Sequence, residues 1–191
     1  MAAGDHGRFA VLGEPVVAVD LIDTIAPPGS PGADDLLADA DSAGAWWRLE
    51  SARVPAGDIP DIHALRRLRT ALRQAIEAVV DGVPVPHGTV ADLNFFTRSV
   101  PVSARLVRTG AGLRTETRWH PEYGGSTRLA FIATQAAEFI ADPSRAGRLR
   151  RCANPSCLMI FVAVNPRRAW CVPEICGNRV RVARHYRRSG A

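Results

Sequence analysis

The stretch "CANPSC" at residues 152–157 is followed, after thirteen residues, by "CVPEICGNR" at 171–179. These hold all four cysteines of a 191-residue chain whose first 151 positions contain none. Thiols gathered this closely fit a metal site, a disulfide staple or a redox pair. A redox pair calls for C-x-x-C beside a βαβ pattern, which is missing. Disulfide staples belong to secreted chains. Here "MAAGDHGRFAVLGEPVVAVDLIDTIAPP" has no basic run leading into an apolar one and carries Asp20 and Asp23, unlike a signal peptide. No uncharged apolar stretch approaches the ~18–20 residues that span a bilayer. The expectation is a reduced, cytoplasmic chain with no membrane partner.

In that setting Cys152, Cys157, Cys171 and Cys176 are read as ligands of one Zn2+. Both pairs have the spacing C-x4-C, at the long end of the range zinc modules use. "NPS" suits a tight turn that aims two sulfurs at one point, and Gly177 lets the chain pass close to the metal. Four thiolates leave no open position for water, so the metal is structural. Its binding contributes folding energy to a module too small for a large core.

Outward from the cysteines the charge changes sign. Residues 1–144 hold 13 Arg against 18 acids, a balance of −5, while residues 145–191 hold 11 Arg against Glu174 alone, a balance of +10. The division predicts two domains, 1–144 and 145–191, with different tasks. All 24 basic residues are arginine, as base composition alone can produce.

The first domain reads as mainly helical with a β-hairpin, making the chain α+β. "GEPVVAVDLIDTI" (13–25) is helix or strand by periodicity, and "APPGSPGADD" (26–35) is a loop. A helix is expected over 41–54 with Asp41 or Ser42 as N-cap. The strongest pattern is 61–82, where Ile62, Leu65, Leu68, Leu72, Ile76 and Val79 form an apolar stripe between Asp61 and Gly82. Its Arg66, Arg67, Arg69 and Arg73 are expected on a solvated face. A shorter helix follows at 88–99, and "PVSARLVRT" and "LRTETRWH" alternate as a hairpin turning near 110–112. A helix at 124–142 buries Leu129, Ile132, Ala133, Ala136 and Ile140. Asp20 and Asp23 read as capping or surface acids and Trp46-Trp47 as core. His63 and His120 lack a nucleophile motif, so no enzymatic activity is expected.

The C-terminal motif "RLRRCANPSC…F…RRAWCVPEICGNRVRVARHYRR" resembles the CGNR-type zinc finger of bacterial proteins, with the tetrapeptide at 176–179. Such fingers follow an N-terminal ABATE domain that carries an L-D-F-V-N-T-like stretch, and "VDLIDT" (19–24) occupies that place. The family is regarded as transcription regulators with a treble-clef-like finger. The resemblance therefore implies double-stranded DNA as partner. A treble clef places the last cysteine at a helix N-terminus, so "GNRVRVARHYRRS" is expected as a helix with Val180, Ala183 and Tyr186 on one side. Arg181, Arg184, His185, Arg187 and Arg188 are the candidate DNA contacts, in a helix that fits the major groove. Gly177, Asn178 and Arg179 are expected to support the ligands, Asn178 by bonding a sulfur or capping the helix and Arg179 by offsetting thiolate charge. The N-terminal domain is expected to sense a small molecule or to form a homodimer. The alternative is a protein- or RNA-interaction module with the finger as a structural clip.

Overall fold

The computed structural model describes residue 9 and residues 13–25, 35–123 and 125–189. Within the last helix the side chains of residues 184 and 187–189 lie outside the description, as do most of the expected loop at 26–35 and position 124.

The ambiguous "VVAV" is helical: α1 runs Val17–Ile22, and all six of its residues are buried. A helix buried on every side shows no amphipathic period, which is why the sequence left it open. Helix α2, Ala40–Glu50, starts earlier and ends earlier than expected. Its cap is Asp39, not Asp41 or Ser42. The Asp39 carboxylate accepts the Ser42 N–H at 2.8 Å while the Ser42 hydroxyl accepts the Asp39 N–H at 3.1 Å. This reciprocal box satisfies two N–H groups at once.

Helix α3, Ile62–Asp81, has the predicted ends. Asp61 accepts the N–H groups of His63 and Ala64 at 2.9 and 3.1 Å. Gly82 terminates the helix in the left-handed region at φ 66°, where a Cβ would be strained. Helix α4 (His87–Thr97), the antiparallel strands β1 (Val102–Thr109) and β2 (Gly112–Trp119), α5 (Thr127–Ala141) and the short α6 (Pro143–Ala146) follow. Leu129, Ile132, Ala133 and Ala136 of α5 are buried as expected, and Ile140 is half-buried against the same core. The chain ends in strands β3 (Leu149–Arg151) and β4 (Ile160–Val162), a π-helical turn (Pro173–Gly177) and α7 (Asn178–Ser189). The fold class is the expected α+β, with two two-stranded antiparallel sheets among the described residues.

Of the arginines of α3, Arg67 is exposed as expected, while Arg66, Arg69 and Arg73 are half-buried or buried. Arg69 is 5% exposed and grips Asp35 through both terminal nitrogens at 2.5 and 2.6 Å. Arg66 donates to the carbonyls of Leu37 and Ala38. Arg67 pairs with Asp92 and stacks over Phe95, and Arg73 reaches the Leu158 carbonyl at 2.8 Å. Position on a helix does not reveal that a long side chain will bend back to carbonyls and acids on neighbouring segments.

One core joins α1, α2, α3 and α5, and it includes Leu149, Ile160 and Val162 from β3 and β4. A smaller cluster gathers Phe161, Ala163 and the cysteines. Alternation along β4 therefore sends Ile160 and Val162 into the main core and Phe161 toward the sulfurs. Each fully buried aliphatic side chain of this kind contributes about 1.5–3 kcal/mol.

Candidate metal centre and nucleic-acid face

The β3–β4 pair carries the first two cysteines at its open end. The Cys152 N–H donates to the Met159 carbonyl at 3.0 Å, extending the ladder past the strands. Between them, the Asn154 carbonyl accepts from Cys157 N–H at 2.9 Å, and its side-chain oxygen accepts from Ser156 N–H at 3.2 Å. That is the tight turn expected of "NPS". The other pair is delivered by the loop after β4, tied in where Ala153 N–H meets the Ala169 carbonyl at 2.8 Å. Cys176 lies in the π-helical turn, its N–H on the Val172 carbonyl at 2.8 Å, and the chain runs from there straight into α7.

The four sulfurs lie within 4.8 Å of one another. Cys157 and Cys171 are 3.7 Å apart, and Cys171 and Cys176 3.6 Å. A disulfide needs ~2.05 Å, whereas a tetrahedron with ~2.3 Å Zn–S bonds has edges of ~3.8 Å. The spacing fits one zinc ion held by Cys152, Cys157, Cys171 and Cys176, three buried and Cys157 half-buried. The Cys157 and Cys171 sulfurs share a hydrogen bond, and that contact holds the Cys157 thiol below the usual range and pushes Cys171 well above it.

Support for the ligands comes from a residue the sequence reading passed over. Asn154 is 6% exposed and donates its side-chain N–H to the Cys176 sulfur at 3.6 Å. Its position inside the first cysteine pair was the available signal, read there only as turn chemistry. Asn178 and Arg179, expected in supporting roles, are exposed in the first turn of α7. Gly177 is buried against the Trp170 ring, which a Cβ there would meet at 3.4 Å.

On α7, Arg181 is exposed and the exposed His185 ring lies 6.0 Å from Tyr186. Arg184, Arg187 and Arg188 share the helix, their side chains outside the described set. On the side that groups the apolar residues, Val180 is half-buried, Ala183 exposed and Tyr186 72% exposed.

The finger is fastened to the helical module by buried carboxylates. In β4 the N–H groups of Ile160 and Val162 point away from β3. Asp23 accepts the first at 3.1 Å and Glu14 the second at 2.8 Å. The free strand edge is thereby closed. Glu14 also accepts from Arg168 at 2.7 Å, and that guanidinium lies 4.4 Å over the Phe161 ring and donates to the Cys171 carbonyl. Arg151 of β3 reaches Asp81 of α3 at 2.7 Å. Burial, only partly offset by the Ile160 N–H and Arg73, raises the Asp23 carboxyl well above its usual range. Asp20 is not a surface acid either. It accepts the N–H groups of Gly13 and Glu14 at 3.1 Å and pairs with Arg53, which also holds Glu50 at 2.8 Å.

A hydrogen-bonded chain also joins Ser103 to His120 at 2.7 Å and His120 to Glu122 at 2.9 Å. It stands on the surface and ties the turn after β2 to the base of β1. Sequence spacing alone does not bring these three together.

Fold and site together define a four-cysteine zinc-finger protein built onto a helical module. Residues 148–189 match the CGNR zinc finger. Residues 16–143 match ABATE, described as "Putative stress-induced transcription regulator". The chain belongs to the ABATE family and carries a CGNR zinc finger. No curated protein matches it significantly. No helix among the described residues is long and apolar enough to cross a membrane.

Proposed function

We propose that the chain is a cytoplasmic DNA-binding transcription regulator whose zinc finger presents α7 to double-stranded DNA. The observation that carries this reading is the exposed helix itself. Cys176, one of the metal ligands, sits in the turn that opens α7, so zinc fixes the direction of a helix bearing Arg179, Arg181, Arg184, Arg187 and Arg188. Arginine in a major-groove helix can bind guanine bidentately, and arginines along its flanks neutralise phosphates. The helical module responds to a ligand or mediates dimerisation. Because Glu14 and Asp23 grip β4, a change in α1 reaches the finger directly. The Ser103–His120–Glu122 chain lies open to water, which supports a structural role rather than catalysis. Selection of bound sequences from a random duplex pool tests the reading, and failure to enrich any sequence counts against specific recognition.

One observation favours the second reading, a protein-interaction module. Val182 and Tyr186, one turn apart on α7, are 44% and 72% exposed. If they carry the function, replacing both with serine abolishes partner capture while Arg181→Ala leaves it intact.

A further inference from the structure

The β1–β2 hairpin has the pattern of a core-facing sheet without a core. Its register places Val102 opposite Trp119, Ala104 opposite Thr117, Leu106 opposite Thr115 and Arg108 opposite Leu113, all on one face. The other face carries Ser103, Arg105, Val107, Arg114, Glu116 and Arg118. Yet Val102 is 54% exposed, and Leu106 and Leu113 are each 66% exposed. A two-stranded hairpin is marginal alone and needs its apolar face covered. At the base of the same face lies a groove of about 490 Å³ between the hairpin and α5, with Val102, Trp119, Phe131, Glu138 and Arg145 among its walls.

We propose that a second copy of this chain covers this face, the tip of each hairpin entering the groove at the base of the other. From Val102 to Arg108 the face is six residue steps long, ~20 Å at ~3.3 Å per step. With the two faces stacked antiparallel about a two-fold axis, the Arg108/Leu113 row meets the Val102/Trp119 row of the second copy. Leu106 then lies over the small pair Ala104 and Thr117, large against small. Leu113 meets the aromatic wall of Trp119 and Phe131. Arg108, the one charged side chain on the apolar face, arrives beside Glu138. Every contact occurs twice, as an isologous interface requires. This surface deepens the dimeric side of the proposed function but does not depend on DNA binding, since it lies on elements distinct from α7.

Sedimentation velocity of the full zinc-loaded chain, without DNA, is the test. It is expected to show a species of twice the chain mass at micromolar concentration. Leu106→Asp is expected to give a folded monomer whose melting temperature, unlike that of the wild type, does not rise with protein concentration. Arg108→Glu and Glu138→Arg should each weaken the dimer by about tenfold or more, and the two together should restore it. A chain that is monomeric at every concentration overturns the proposal. So does a dimer that tolerates Leu106→Asp, or one that the paired charge reversal fails to restore. Loss of duplex binding alone leaves this result untouched.

Discussion

Glu14 accepts the backbone N–H of Val162 at 2.8 Å across 148 residues of chain, with the carboxylate buried at the junction of α1 and β4. The same carboxylate holds Arg168, which bridges to the carbonyls of Trp170 and Cys171. One side chain of the helical module thus touches both halves of the zinc loop.

Removing it leaves the buried Val162 N–H without its acceptor, which costs about 1–3 kcal/mol, while Arg168 keeps its carbonyl partners. Glu14→Ala is therefore expected to lower stability by about 2 kcal/mol and to expose the finger to limited proteolysis near residue 148. Denaturant unfolding with zinc present measures this. A loss below about 0.5 kcal/mol, the size of an ordinary surface change, contradicts the bridge.

Zinc retention separates two asparagines. Asn154→Ala should loosen the metal by about 10- to 100-fold in competition with a chromophoric chelator, since it removes the amide that bonds a ligand sulfur. Asn178→Ala should leave retention unchanged. Cys171→Ala should lose the metal, which is otherwise expected at about one ion per chain. The reverse ranking of the asparagines would return the supporting role to Asn178.

The acid cluster gives a pH signature. Glu50 is 1% exposed, and burial, then repulsion from Asp20, pushes its carboxyl from 4.5 up to about 7. The folded chain holds this proton more tightly than the unfolded chain. Its contribution is fully present below about pH 4.5 and is lost as pH rises through about 7. Wild type should lose melting temperature between pH 5.5 and 7.5 relative to Glu50→Gln, which has no proton to lose there. A difference that stays constant across that interval rules the account out.

The sequence showed most where the chemistry is local. The α3 stripe between Asp61 and Gly82, the alternation in the hairpin and the two cysteine pairs each state their structure within a few residues. What it hid depends on distant partners. Asp20 and Asp23 look like surface acids until α1 is seen buried, and Glu14 carries no motif at all. Arg66, Arg69 and Arg73 sit off the apolar stripe yet end on carbonyls and carboxylates from other segments. Asn154 was read for its backbone and works through its side chain as well. On α7 the spacing groups Val180, Ala183 and Tyr186 on one side, and the helix leaves Tyr186 in solvent.

The central claim is that zinc fixes α7 as a DNA-binding helix, and salt-dependent fluorescence anisotropy on a duplex tests it most directly. Zinc-loaded protein should bind at low salt and weaken as salt rises, with log K falling by about 0.9 per log unit of salt for each phosphate neutralised. Arg181→Ala should reduce that slope by about one, and metal removal should abolish binding. No binding to any duplex at low salt with zinc loaded would contradict the account.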